Sequence, residues 1–315
     1  MKKGLLSFLA LVLIVVLAAC STEKPGSDSA DEGTDDATSE ETGDMKVGFS
    51  ISTLNNPFFV DLRDGAEASA DTEGIEIVVA DAQDDSSKQI SDIEDLLQQG
   101  IDLLLVNPTD DEAVVAGIEA ANAADIPVIT VDRSSEGGEV VTHIASDNVA
   151  GGEMAGEHIV ELLGDDGGEM IELEGIPGVA ATTERGEGFH NVIDELDEID
   201  VVASQTANFD RTEGLSVMEN LLQGNKDISA VFAHNDEMGL GAVEALESQG
   251  MLDDVIVVGF DATDDALTAV EDGRMEGTIA QQPELISEAA IKAAIDVFNG
   301  EELDDFIPVE LELIK

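Results

Sequence analysis

The 315-residue chain has no tryptophan and no tyrosine, a single cysteine, and only 13 Lys and Arg side chains against 71 Asp and Glu. Each scarcity excludes something. One cysteine, Cys20, allows no disulfide within the chain, so stability has to come from a packed core. A net charge of −58 repels nucleic acid and anionic lipid headgroups, which removes polyanion binding from the functions to consider. With five arginines and ten phenylalanines in the whole chain, any that stand beside polar clusters are informative. His143, His158, His190 and His234 show no metal-ligand spacing, and acidic strings such as 81–85 lack the glycine and spaced ligands of a calcium loop. Gly239-Leu240-Gly241 lies in a helical pattern and is no dinucleotide fingerprint. Neither a cofactor nor a metal is implied.

What is present begins with Lys2 and Lys3, followed by an apolar run over 5–19 that is too short for a comfortable membrane span and matches the core of a secretory signal. The run ends in Leu17-Ala18-Ala19-Cys20, which resembles a bacterial lipobox, so residues 1–20 read as a leader and Cys20 as a lipidation site. The expected location is the outer face of the cell membrane, held by a lipid. Residues 21–44 carry Ser, Asp, Glu, Gly and Thr without a large apolar side chain, the composition of a disordered acidic tether. Those 24 residues would span on the order of 25 to 30 Å. Removing the leader takes away two lysines and no acid, leaving a mature charge near −60. Such an excess suits a halophile's surface, solvated by carboxylates in concentrated salt.

From residue 45 onward, 271 residues exceed the usual size of one core and suggest two lobes. Strand-like runs at 46–51, 75–80, 102–106 and 127–131 alternate with helical patterns, and the rhythm restarts after Ser146 with runs at 169–173, 201–205, 230–233, 255–259 and 278–280. Alternation of this kind predicts an α/β protein with parallel sheets covered on both faces. One helix is expected over Ile90, Ile93, Leu96 and Leu97, with Ser86 or Ser87 as its cap and Gly100 just past its end. Polar and aromatic residues follow the strands: Asn55-Asn56-Pro57-Phe58-Phe59, Asp132-Arg133, Asn235-Asp236 and Phe260-Asp261. Ligands of open α/β sheets bind outside the carboxyl ends of the strands, so these residues would line a cleft between facing lobes.

The strings STLNNPFF (52–59), IPVITVDR (126–133), HIASDN (143–148), ERGEGF (184–189), NFDR (208–211), FAHNDEM (232–238), VVGFDAT (257–263) and TIAQQP (278–283) together resemble the ribose-binding protein family, the type I periplasmic sugar receptors. The resemblance runs from about Lys46 to the C-terminus. It implies two doubly wound parallel-sheet lobes with a hinge and a ligand cleft between them. Three crossovers are implied near Ser146, Ala280 and Phe306, giving one lobe of 45–146 plus 282–306 and another of 147–281 plus 307–315. Carried over residue by residue, it implies ligand contacts from Asn56, Phe58, Phe59, Asp132 and Arg133, with Ser52 behind them. From the other lobe it implies Arg185, Phe209, Asn235, Asp261 and a stacking Phe260, with Gln281 near a crossover. The sequence departs from the family pattern at Thr183, His234 and Ala262.

These residue types suit a sugar. A pentose has thin apolar faces and a rim of hydroxyls. Phe58, Phe59, Phe209 and Phe260 offer plates, whereas Phe49, Phe232 and Phe298 read as core. Asp132 and Asp261 accept from hydroxyl pairs, and Arg133 and Arg185 present forked donors. With an Arg beside or facing each carboxylate, both acids are expected to be ionised acceptors. The resemblance implies a monomeric, non-enzymatic receptor that captures D-ribose and delivers it to an ABC transporter permease. Another pentose, allose or a furanosyl signalling molecule is the alternative ligand. A transcription regulator on the same core would need a DNA-binding headpiece and basic surface where this chain has a leader and a tether. An enzyme would need one of its paired carboxylates held as an acid.

Overall fold

The computed structural model describes residues 45–315; the leader, Cys20 and the tether lie outside the described residues. The chain first alternates β1 (Lys46–Ile51), α1 (Pro57–Glu73), β2 (Glu76–Asp81), α2 (Ser86–Gln98), β3 (Leu103–Val106), α3 (Val115–Ala123), β4 (Val128–Val131) and β5 (Thr142–Ser146). It continues through α4 (Asn148–Leu163), β6 (Gly168–Glu174), α5 (Ala180–Ile193), β7 (Ile199–Thr206), α6 (Arg211–Leu221) and β8 (Ile228–Ala233). Then come α7 (Asp236–Gln249), β9 (Ile256–Asp261), α8 (Asp264–Glu271), β10 (Gly277–Ala280), α9 (Pro283–Phe298), β11 (Phe306–Val309) and β12 (Glu312–Ile314).

The strands form two six-stranded sheets, ordered β11-β5-β4-β3-β1-β2 and β12-β10-β9-β8-β6-β7. All pairings are parallel except that of β10 with β12. Continuous apolar strands such as Leu103–Val106, every residue of which is buried, are what a sheet covered on both faces requires. In the first lobe, Phe49, Leu62, Leu105 and Ile291 pack on one face, and Ile93, Leu96, Leu104 and Ile118 on the other. The second lobe likewise has Leu173, Met238 and Val257 on one side of its sheet and Ile159, Phe189, Phe232 and Phe260 on the other.

Local chemistry sets the helix starts that matter for the site. Asn56 caps α1, its Oδ1 accepting from the Phe58 N–H at 3.0 Å, and Pro57 occupies the first turn where no N–H is needed. Asn235 caps α7 in the same way through the Met238 N–H at 3.0 Å. The cap of α2 is Asp85, which accepts from Ser87 and Lys88; Ser86 and Ser87 are the first residues inside the helix. A carboxylate at this position reaches two amides and meets the positive end of the helix.

Three differences from the sequence pattern have physical causes. Strands β5, β11 and β12 are not marked by it, because they are three to five residues long and lack a sustained apolar run. The last crossover falls at Glu310–Leu311 and not near Phe306, since β11 pairs in parallel with β5 over Phe306 to Val309 and keeps residues 307–309 in the first sheet. Phe298 is no core residue: at the last position of α9 it is 47% exposed.

Candidate functional site

The carboxyl ends of the two sheets meet around a small cavity. Asn56, Phe58, Phe59, Asp132 and Arg133 line it from the first lobe. Arg185, Phe209, Asn235, Asp261 and Gln281 line it from the second lobe and the adjoining crossover, together with Ala181. A wider groove shares Asn56, Phe59, Arg133 and Phe209 with the cavity and opens outward past Asp84, Arg211 and Glu213. Among the described residues no group of three or more His, Cys, Asp or Glu is arranged to hold a metal ion.

In the first lobe, Asp132 follows β4 with a φ of 65°, a left-handed conformation uncommon for a side-chain-bearing residue. Its Oδ2 accepts from Asn107 Nδ2 at 3.2 Å, and Asn107 Oδ1 accepts from the Ser52 hydroxyl at 2.6 Å. Ser52 therefore stands behind the cavity, acting through Asn107. Asn107 itself was legible by position, because it directly follows β3 just as Asp132 follows β4. Arg133 donates to the Pro108 carbonyl at 3.1 Å and lies 4.9 Å from the Phe59 ring centroid, while Phe58 meets Phe59 edge-on at 5.2 Å. An arginine on an aromatic face keeps its remaining donors free for a ligand.

In the second lobe Arg185 projects from α5. Its Nε donates to Asn148 Oδ1 at 2.9 Å, and its Nη1 donates to the His234 carbonyl at 2.6 Å and lies 3.6 Å from Asp261 Oδ1. Asp261 also accepts from Gln281 Nε2 at 2.9 Å. Phe209, with a φ of 57°, rests its ring on Gly175, where a Cβ would overlap it. Phe260 is not in the cavity wall; it is fully buried beneath Arg185, whose Cζ is 3.8 Å from its centroid. Its placement is that of a support for the guanidinium.

The departures also acquire places. His234 is buried with Nε2 2.9 Å from Glu172 Oε1. Burial pushes the Glu172 carboxyl up, but His234, the Ser204 hydrogen bond and His190 together outweigh it and the net shift is downward. Ala262 sits at a φ of 59°, where a glycine would be unstrained.

The electrostatics differ from the sequence expectation of two plainly ionised acceptors. Burial pushes Asp261 up to about 7, only partly offset by Arg185 and the Gln281 hydrogen bond. Burial also raises Asp132, against the pull of Arg133, Arg185 and Asn107. Both arginines are shifted down by burial, and the facing carboxylates hold them up. Two acids and two bases thus share one buried space, where each charge depends on the others.

A family model described as periplasmic binding protein domain matches residues 47–302. The ribose import binding protein of Bacillus subtilis (strain 168) is 50% identical over 313 residues, covering 99% of each chain. The ribose import binding protein of Haemophilus influenzae is 50% identical over 269 residues, covering 85% of this chain and 91% of its own. Among solved structures, an ABC transporter solute binding protein from Mycobacterium smegmatis with bound glycerol superposes with a TM-score of 0.83. It is 37% identical, with 85% of this chain and 93% of that one covered.

Proposed function

The chain belongs to the periplasmic binding protein domain family, and from that premise we propose that it captures D-ribose between its lobes and delivers it to an ABC transporter permease. One observation carries the reading. Asp132 and Arg133 from one lobe face Arg185 and Asp261 from the other around a small cavity walled by Phe58, Phe59 and Phe209. In this reading the rings cover the C–H faces of the sugar, the carboxylates accept from its hydroxyls, and the guanidinium groups donate to its oxygens. Asn56, Asn235 and Gln281 add amide groups at the rim. The lobes hinge at the three strand crossovers, so that sugar and closed form appear together. The ribose-import names of two relatives that are each 50% identical support ribose as the ligand.

Family membership makes the protein an extracytoplasmic solute-binding component, not an enzyme. The finer location is a lipid anchor at Cys20, with residues 21–44 as a tether that lets a monomeric receptor move above the membrane. The acidic surface suits life in concentrated salt. Calorimetric titration of the mature protein in high salt against ribose, allose, arabinose and glucose tests the ligand. Tightest binding of ribose is expected, and a stronger preference for another sugar would reassign the site.

A further inference from the structure

The turn between β3 and α3 reaches across to the other lobe. Asp111 on this turn is 5% exposed, and its Oδ2 accepts from the backbone N–H of Ala180 at 2.8 Å. The Asp111 N–H donates to the Gly178 carbonyl at 3.2 Å. Ala180 is the first residue of α5, and the residue before it, Val179, offers no side-chain cap. A helix start leaves N–H groups without intrahelical partners, and a carboxylate is a preferred acceptor for them. For α5 that acceptor comes from 69 residues away and from the opposite lobe.

We propose that Asp111 is a closure latch: a carboxyl group of the first lobe that caps α5 of the second only when the lobes are shut, and so stabilises the ligand-holding form at mildly acidic pH without touching the ligand. This rests on the sugar-capture reading. The capped helix is the one that carries Arg185, about one and a half turns beyond Ala180. Closure and the placement of that guanidinium are therefore coupled through Asp111. Gly178 keeps the approach open, because a Cβ there would come within 2.9 Å of Asp110 Oδ2.

The latch has a pH signature. The charged groups around it are Asp110 and Glu112 on its own turn, Arg133 and Glu136 after β4, and Glu184 on α5. Burial pushes the Asp111 carboxyl up to about 6; the Ala180 N–H and Arg133 oppose this, while Asp110 and Glu184 add to it. Its Oδ1 is buried without a partner. When the lobes part the carboxyl returns to water. Closing thus takes up a proton, and its contribution to the closed form is complete at low pH and lost as pH rises through about 6.

The experiment measures sugar affinity, release rate and amide hydrogen exchange for the parent, Asp111→Ala and Asp111→Asn from pH 5 to 8. Ribose, allose and apiose are the probes. At pH 5 Asp111→Ala is expected to bind ribose about 3- to 30-fold more weakly, mainly through faster release, with the Ala180 amide losing protection in the sugar-bound state. Asp111→Asn keeps an acceptor and should match or exceed the parent at pH 8. That difference should narrow toward pH 5; the titration of Asp261 is common to both proteins and cancels. Equal affinity, release and Ala180 protection in Asp111→Ala at pH 5 would overturn the latch while leaving sugar capture intact. A parent that closes on none of the three sugars would instead overturn sugar capture, and the latch with it.

Discussion

Arg185 stands over Phe260 with its Cζ 3.8 Å from the ring centroid, and the ring is wholly buried beneath it. The face of the guanidinium is thereby occupied by the protein, and its edges are left for Asn148, the His234 carbonyl and Asp261. Lysine cannot reproduce this, because an ammonium has no planar edge to divide among three partners.

Replacing Arg185 or Asp132 by alanine should weaken ribose binding roughly 30- to 1,000-fold, about 2 to 4 kcal/mol, since each change leaves buried charged partners unmatched. Phe209→Ala should cost less, and Asp71→Ala, on an exposed stretch of α1, close to nothing. Calorimetry on folded variants decides the ranking. Parent-like affinity in both charged variants would remove the site assignment.

Asp261 makes closure pH-sensitive. In the shut cleft its carboxyl is raised to about 7 by burial, so what it contributes to the closed form is complete below the ordinary Asp value and is lost as pH rises through about 7. Ribose affinity should fall between pH 5 and 8. In Asp261→Asn, which cannot ionise, the fall should be smaller and ribose binding poorer at pH 5. Parallel pH profiles of affinity for the two proteins would rule out this origin.

Gly175 should behave as a site residue although it has no side chain. A methyl group there collides with the Phe209 ring, so Gly175→Ala is expected to push that ring into the cavity and reduce affinity about tenfold or more. The double variant Gly175→Ala, Phe209→Ala should recover part of the loss relative to additivity, and simple additivity of the two changes would refute the contact.

Screening shortens the Debye length from about 10 Å at 0.1 M salt to about 3 Å at 1 M, which relieves repulsion within a chain of charge −58. Melting temperature should therefore rise across that range. A flat response would count against adaptation to salt and leave the ligand site unaffected.

Cys20→Ser should leave ribose affinity unchanged and release the protein from washed membranes. Retention of the serine variant on the membrane would disprove anchoring at that residue.

Hydrophobic runs of four to eight residues, spaced by helical periodicity, were enough to mark most strands of both sheets, because burial on two faces imposes an apolar pattern that is local in sequence. The same locality marked Asn56, Asp132, Asn235 and Asp261, each of which ends a strand, directly follows one or opens the helix after it. The alternating architecture and the polar residues at strand ends were therefore legible along the chain. What those residues meet was not, because the partners are distant in sequence. Ser52 reaches Asp132 through Asn107, 55 residues away, and Asp111 caps a helix 69 residues away. Gly175 supports Phe209, and residues 307–309 stay in the first sheet because β5 offers them an edge. The raised carboxyl of Asp261 was likewise out of reach of any motif, since the loss of water around it and Arg185 exists only once both lobes have folded over the pair.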